Sequence, residues 1–223
     1  EPAPSNTPDP VESASPAPTP TPTPSTPHYP YYPSYPSAPT VTPAPTPTPE
    51  PAPQPSVTKH FSDVPTDFWA RDAIDFVTAH SLFRGTSANE FSPEQPMTRA
   101  MLMTVLARLD GIDTDGGNTW YAKGMNWAIA RGISDGSSPG SNITREQIIT
   151  MLWRYSGSPR TDAVFTGFTD IGHISDYART AMQWATSFGI INGFGDSTLR
   201  PQNQATRAEV AQILQNFITT KYT

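Results

Sequence analysis

The chain has 223 residues, a net charge of −6 and no cysteine. The absence of cysteine excludes a disulfide framework and thiolate chemistry, and no apolar run approaches the roughly 18 residues that suggest a membrane-crossing helix. All 14 basic residues and 16 of the 20 acids lie in residues 59–223. That near balance leaves no basic stripe for nucleic acid, and the segment is long enough for one domain with a real core.

Residues 1–58 hold 21 of the 27 prolines and contain no glycine, lysine or arginine. Such a segment has too little apolar surface to offset the entropy of ordering, so a disordered or extended state is expected. Proline fixes φ and removes a donor, and the Thr-Pro and Ala-Pro alternation favours polyproline II. At about 3.1 Å per residue, its upper reach is roughly 180 Å. The chain begins at Glu1 without a leader-type segment. The expectation is a processed protein or a fragment of a longer one.

From residue 59 onward one pattern is written three times. Trp69-Ala70-Arg71-Asp72-Ala73-Ile74 aligns with Tyr177-Ala178-Arg179-Thr180-Ala181-Met182, and Phe61-Ser62-Asp63-Val64 with Phe168-Thr169-Asp170-Ile171. Gly85 matches Gly193, Pro93 matches Pro201, and Thr98-Arg99-Ala100 matches Thr206-Arg207-Ala208. In the middle copy, Trp120, Met125, Trp127 and Gly136 follow their counterparts by 51 residues, and Thr144-Arg145 by 46, so its loop is shorter. A repeat of about 50 residues is a supersecondary unit that cannot bury its own apolar face, so the copies must assemble. The boundaries fall at 59–111, 112–160 and 161–223, behind the 1–58 segment.

Each copy reads as helix, loop, helix, giving an all-α domain. The first helices are expected near 68–80, 120–131 and 176–187. In the first copy Trp69, Ala70, Ala73, Ile74 and Val77 form the stripe, with Asp67 or Thr66 as the N-cap. Glycines such as Gly132 and Gly189 mark the turn that follows, where positive φ is needed. Phe91 and Leu199 pin the loops to the core. The second helices are expected near 98–110, 144–155 and 206–219. Their core faces are Leu102, Val105, Leu106 and Leu109, then Ile148, Met151, Leu152 and Tyr155, then Val210, Ile213, Leu214 and Phe217. Trp127 and Trp184 read as core residues too.

Thr206-Arg207-Ala208-Glu209 is a capping box, and Thr144-Arg145-Glu146-Gln147 can form one with glutamine; Thr98-Arg99-Ala100-Met101 keeps the threonine but loses the reciprocal partner. The arginines are a different matter. Arg99, Arg145 and Arg207 occupy the first helical position, where the helix dipole disfavours a cation. Two readings stand side by side. Free helix N–H groups and a guanidinium would suit a carboxylate or phosphate, or the arginine bridges to a neighbouring repeat, for instance to Asp63 or Asp170. Likewise Trp69, Trp120 and Tyr177 are either core staples or exposed faces for stacking on sugar rings.

Together these motifs resemble the S-layer homology (SLH) domain family, across about residues 59–221. The Thr-Pro-rich leader is similar to the linkers that join such triplets to extracellular proteins, so a covalently attached upstream domain is implied. The resemblance implies a pseudo-threefold domain with a central bundle made by the first helices. It implies non-covalent attachment to the bacterial cell wall at the cell surface, outside the cell. The implied ligand is a secondary cell-wall polysaccharide, often ending in a pyruvate ketal on N-acetylmannosamine. The grooves it implies pair Arg99 with Trp120, Arg145 with Tyr177 and Arg207 with Trp69, with Gly85, Gly136 and Gly193 letting sugar approach the backbone. No catalytic residue, metal ligand, cofactor or membrane insertion is implied. The acidic stretch Asp110–Asn118 lacks EF-hand spacing, since Asn118 and Gly124 stand where Gly and Glu are needed. Competing readings are a glycan hydrolase or transferase, which needs two facing carboxylates, a structural protein–protein module, and binding to modified peptidoglycan in a Gram-negative-type envelope.

Overall fold

The structure is a computed structural model that describes residues 60–221, which lie within one compact unit. The expected polyproline segment lies outside the described residues. Six helices follow in order: α1 Arg71–Ala79, α2 Arg99–Leu109, α3 Ala122–Ala130, α4 Arg145–Tyr155, α5 Arg179–Ser187 and α6 Arg207–Lys221. Two 3-10 turns, Ile171–His173 and Asp176–Ala178, lead into α5. Among the described residues there is no strand, only three isolated bridges.

Those bridges explain how three copies become one domain. Pro96 pairs with Thr206, Thr98 with Asn142, and Thr144 with Gln204. Between them runs a closed ring of backbone hydrogen bonds. Met97 N–H donates to the Ala205 carbonyl (2.9 Å), Ala205 N–H to that of Ile143 (3.0 Å), and Ile143 N–H to that of Met97 (2.8 Å). All three residues are fully buried. A single repeat cannot make this ring, so the threefold assembly satisfies backbone groups that burial would otherwise leave unpaired.

The ring also closes the N-termini of the second helices. Arg99 and Ala100 N–H donate to Ser141 and Pro139 of the next repeat, Arg145 and Glu146 to Asn203 and Pro201, and Arg207 and Ala208 to Gln95 and Pro93. The third donor goes to the capping threonine, as Met101 to Thr98, Gln147 to Thr144 and Glu209 to Thr206. The reciprocal bond is made by Gln147 and Glu209, and the Met101 sulfur stands at 3.5 Å from the Thr98 N–H.

The second-helix stripes are buried as their spacing predicts, with Leu109 and Tyr155 at the half-buried ends. Phe91 and Leu199 are buried, as is Trp184, whereas Trp127 packs from a half-buried position and donates to Asp110. The first helices are more peripheral. Only Gly124 and Ala128 of α3 are buried. Each first helix packs on the second helix of a neighbouring repeat, as α3 on α2, α5 on α4 and α1 on α6. The principal helix contacts thus join a first helix to the second helix of a neighbouring repeat, and the backbone ring at Met97, Ile143 and Ala205 ties the three repeats together. Gly124 shows how close this packing is, because a Cβ there would lie 2.7 Å from the Thr104 Cα. The matching residues Ala73 and Ala181 are small and fully buried.

The first helices begin later than expected. Phe68 and Arg71 N–H groups bond to Pro65 and Phe68 in successive turns, and neither Asp67 nor Thr66 caps α1. After the helix, Gly132 and Gly189 adopt positive φ, and in the first copy Ser81 takes the same conformation at φ 57°.

Candidate functional site

The three exposed aromatics are equivalent by repeat. Trp69 is 59% exposed, Trp120 57% and Tyr177 52%, so none of them is a core staple. Each borders a groove, and the grooves have volumes of about 380, 250 and 370 Å³ respectively. The Trp69 groove contains Arg145, the Trp120 groove Arg207, and the Tyr177 groove Arg99. This corrects the expected pairing of Arg99 with Trp120, Arg145 with Tyr177 and Arg207 with Trp69. The reason is mechanical. Each arginine reaches forward into the loop of the next repeat, and the second helix of that repeat carries the first helix of the repeat after it. Every groove is thus built from all three copies.

The reach is visible in the hydrogen bonds. Arg207 Nε donates to Phe91 O and its Nη2 to Arg84 O, both at 2.8 Å. Arg145 Nε donates to Leu199 O at 2.9 Å, with Nη2 3.5 Å from Asn192 O. Arg99 Nε donates to Ser137 O at 3.0 Å, while its Nη2 turns to the side chains of Ser134 and Asp135. Each guanidinium therefore braces a neighbouring loop through backbone carbonyls, and Arg99 and Arg145 also make the expected ion pair to a neighbouring repeat, with Asp135 and Glu209 rather than Asp63 or Asp170. Asp63 and Asp170 accept the N–H groups of Phe91 and Ser92, and of Leu199 and Arg200. The helix N-termini have no free donors left, so the expected anion site of helix N–H groups is closed. What remains is the guanidinium itself. Arg207 makes no bond through Nη1, and no polar side-chain atom among the described residues is both buried and unpartnered.

The charge environments of the three arginines differ. Arg207 has no ion pair among the described residues. Burial pushes it down to about 10, with Asp63 acting weakly in the other direction. Burial also lowers Arg145, opposed by Glu209, whose carboxylate lies 3.7 Å away. Arg99 pairs with Asp135 at 3.0 Å. The Tyr177 hydroxyl donates to Glu146 at 2.8 Å, and Ser175 N–H and Oγ donate to the same carboxylate. Burial first, then this bond, raises the Tyr177 hydroxyl well above its ordinary value, so it stays a donor.

The glycines have internal reasons. A Cβ at Gly85 or Gly193 would meet the ring of Phe61 or Phe168 at 2.6 or 2.5 Å. At Gly136, φ is +73° and Ile129 lies 2.5 Å from the Cβ position. Gly85 and Gly193 do line grooves. Sequence reasoning missed Arg108 and Arg154, which donate from the last turn of α2 and α4 to Leu82 O and Ile133 O and line the Trp120 and Tyr177 grooves. Their shared helix position in two copies was the available signal.

A ring-closed domain with three equivalent grooves, each pairing a flat aromatic face with a fixed cation, has the form of a multivalent binding module. The sequence model of the S-layer homology domain matches residues 60–100, 113–149 and 167–211, and the chain belongs to that family. It is 29% identical over 178 residues to an amylopullulanase of Thermoanaerobacterium thermosulfurigenes, covering 72% of this chain and 10% of that protein. It is 24% identical over 176 residues to the S-layer protein sap of Bacillus anthracis, covering 70% of this chain and 21% of that protein. With cell surface glycoprotein 1 of Acetivibrio thermocellus it shares 28% identity over 160 residues, 60% of this chain and 7% of the other. The chain thus spans a small part of these larger proteins. Membership of the family makes the repeat domain an anchoring module of the bacterial cell surface, not a catalytic one, although some relatives carry such repeats within enzymes.

Proposed function

We propose that the domain anchors an extracellular protein non-covalently to the bacterial cell wall by binding an acidic secondary cell-wall polysaccharide. The units are the repeats at 59–111, 112–160 and 161–223, with 1–58 as the spacer to a covalently attached upstream domain. The carrying observation is the threefold recurrence of an exposed aromatic with an arginine, buried at Arg145 and Arg207 and half-buried at Arg99, already fixed by carbonyl bonds. A sugar ring would stack on Trp69, Trp120 or Tyr177. A carboxylate, such as that of a pyruvate ketal, would meet the guanidinium. One charge-assisted bond contributes roughly 1.5–3 kcal/mol, which is weak alone. Several grooves engaging one polymer raise the overall hold through effective concentration. No chemical step is assigned to the domain, which acts by holding the polymer.

The test is co-sedimentation of the folded domain with purified walls that carry a pyruvylated polymer. Binding is expected, and it is expected to fall sharply when mild acid removes the ketals. Undiminished binding to ketal-free walls would instead favour modified peptidoglycan or a protein partner, and would contradict this reading.

A further inference from the structure

The three grooves share one lining position that carries a different residue in each copy. It is the third residue of the second helix: Met101 in the Trp120 groove, Gln147 in the Tyr177 groove and Glu209 in the Trp69 groove. We infer that this position sets which groove accepts an anionic sugar, and that in this chain the Trp120 groove is the carboxylate site. The inference rests on the reading of the grooves as polysaccharide sites and ranks them.

The lining charges carry the argument. The Trp120 groove presents Arg84, Arg108 and Arg207 and no carboxylate. Arg84 is matched by Asp115 outside the groove, at 2.9 Å. Among the described residues Arg108 and Arg207 have no ion pair and donate to neutral acceptors, Leu82 O and Thr114 Oγ1 for the first and Phe91 O and Arg84 O for the second. Two cations, one half-buried and one buried, then share a pocket whose lining holds no carboxylate, and a bound carboxylate would supply one. The Tyr177 groove holds Arg99 and Arg154 but also Asp135, bonded to Arg99. The Trp69 groove holds Arg145 opposite Glu209, and Asn216 stands where the other two have Arg108 and Arg154. A carboxylate entering there would meet a like charge. Discrimination needs such a repulsive element as much as an attractive one, so the Trp69 groove is suited to an uncharged sugar unit. Asp63 and Asp170 lie behind the Arg207 and Arg145 loops in the same way, so they do not account for the difference.

The capping role makes the position testable without risk to the fold. Gln147 already forms the cap that Glu209 forms, and glutamate at 101 would complete a box that methionine makes only weakly. The experiment is calorimetric titration of the 59–223 domain within the full chain with the methyl glycoside of a pyruvylated N-acetylmannosamine, and with the same sugar lacking the ketal. The indole N–H signals of Trp69 and Trp120 report by NMR which groove is filled. Wild type should bind the pyruvylated sugar at one principal site that shifts Trp120. Met101→Glu should weaken that site at least about tenfold with no loss of melting temperature. Glu209→Gln should add a second site that shifts Trp69. Three equal sites, or unchanged affinity in folded Met101→Glu, would overturn the ranking while leaving the polysaccharide reading intact. Equal or absent binding of the two sugars by wild type would overturn the acidic-ligand reading and the ranking with it.

Discussion

The axial ring and the grooves around it follow the same threefold order, but they keep it differently. At the ring, Met97, Ile143 and Ala205 are all apolar but differ in shape and volume, yet their backbone bonds lie within 2.8–3.0 Å. In the grooves the backbone frame also repeats, while the side chains at one position run from methionine through glutamine to glutamate. The comparison separates two kinds of constraint. Backbone pairing at a buried axis tolerates any apolar residue of fitting volume. Groove chemistry is written in side chains, and each copy can change its own without disturbing the assembly.

The largest effect should come from breaking the ring. Ile143→Asp places an unpaired charge at a fully buried position that all three repeats share, and a loss of about 4 kcal/mol or more is expected. A circular dichroism melt should show the whole domain failing, not one repeat. Next comes a contact that only one groove has. Glu146→Ala leaves Ser175 N–H, Ser175 Oγ and the Tyr177 hydroxyl without their acceptor. Denaturant titration should show a loss of about 3 kcal/mol, with greater mobility of Tyr177 by NMR and little change at Trp69.

These two sites also mark what the sequence could and could not disclose. The repeat, the six helices and the second-helix core faces are side-chain patterns, and the spacing of Leu102, Val105 and Leu106 or of Val210, Ile213 and Leu214 is enough to read them. The groove partners were not legible in the same way. Arg207 is held by the carbonyls of Phe91 and Arg84, which are backbone groups that any residue would offer. Which aromatic then faces Arg207 depends on the direction in which the repeats follow each other around the axis, and local spacing does not contain that direction. The starts of the first helices were misplaced for a similar reason, because backbone bonds from Phe68 and Arg71 order the preceding turn without a side-chain cap.

A smaller effect sharpens the packing of neighbouring repeats. Gly124→Ala gains helix propensity but brings a Cβ within 2.7 Å of the Thr104 backbone. A net loss of about 1–3 kcal/mol is expected, measured by chemical unfolding, whereas Ala→Gly at the matching Ala73 should cost by opening a gap. The smallest effect runs the other way. Ser81 holds the left-handed conformation that Gly132 and Gly189 hold in the other copies. Ser81→Gly should raise stability by a few tenths to about 1 kcal/mol, seen as a small upward shift in melting temperature.

Each groove joins the arginine of one repeat, the loop and second helix of the next, and the aromatic of the third. A double-mutant cycle on binding of the monovalent pyruvylated sugar tests it most directly. The variants are Arg207→Ala, Arg99→Ala and Trp120→Ala, alone and paired. Arg207 and Trp120 should couple by about 0.5–3 kcal/mol, and Arg99 and Trp120 should be additive within about 0.5 kcal/mol. Coupling of Trp120 to Arg99, with additivity to Arg207, would contradict the account.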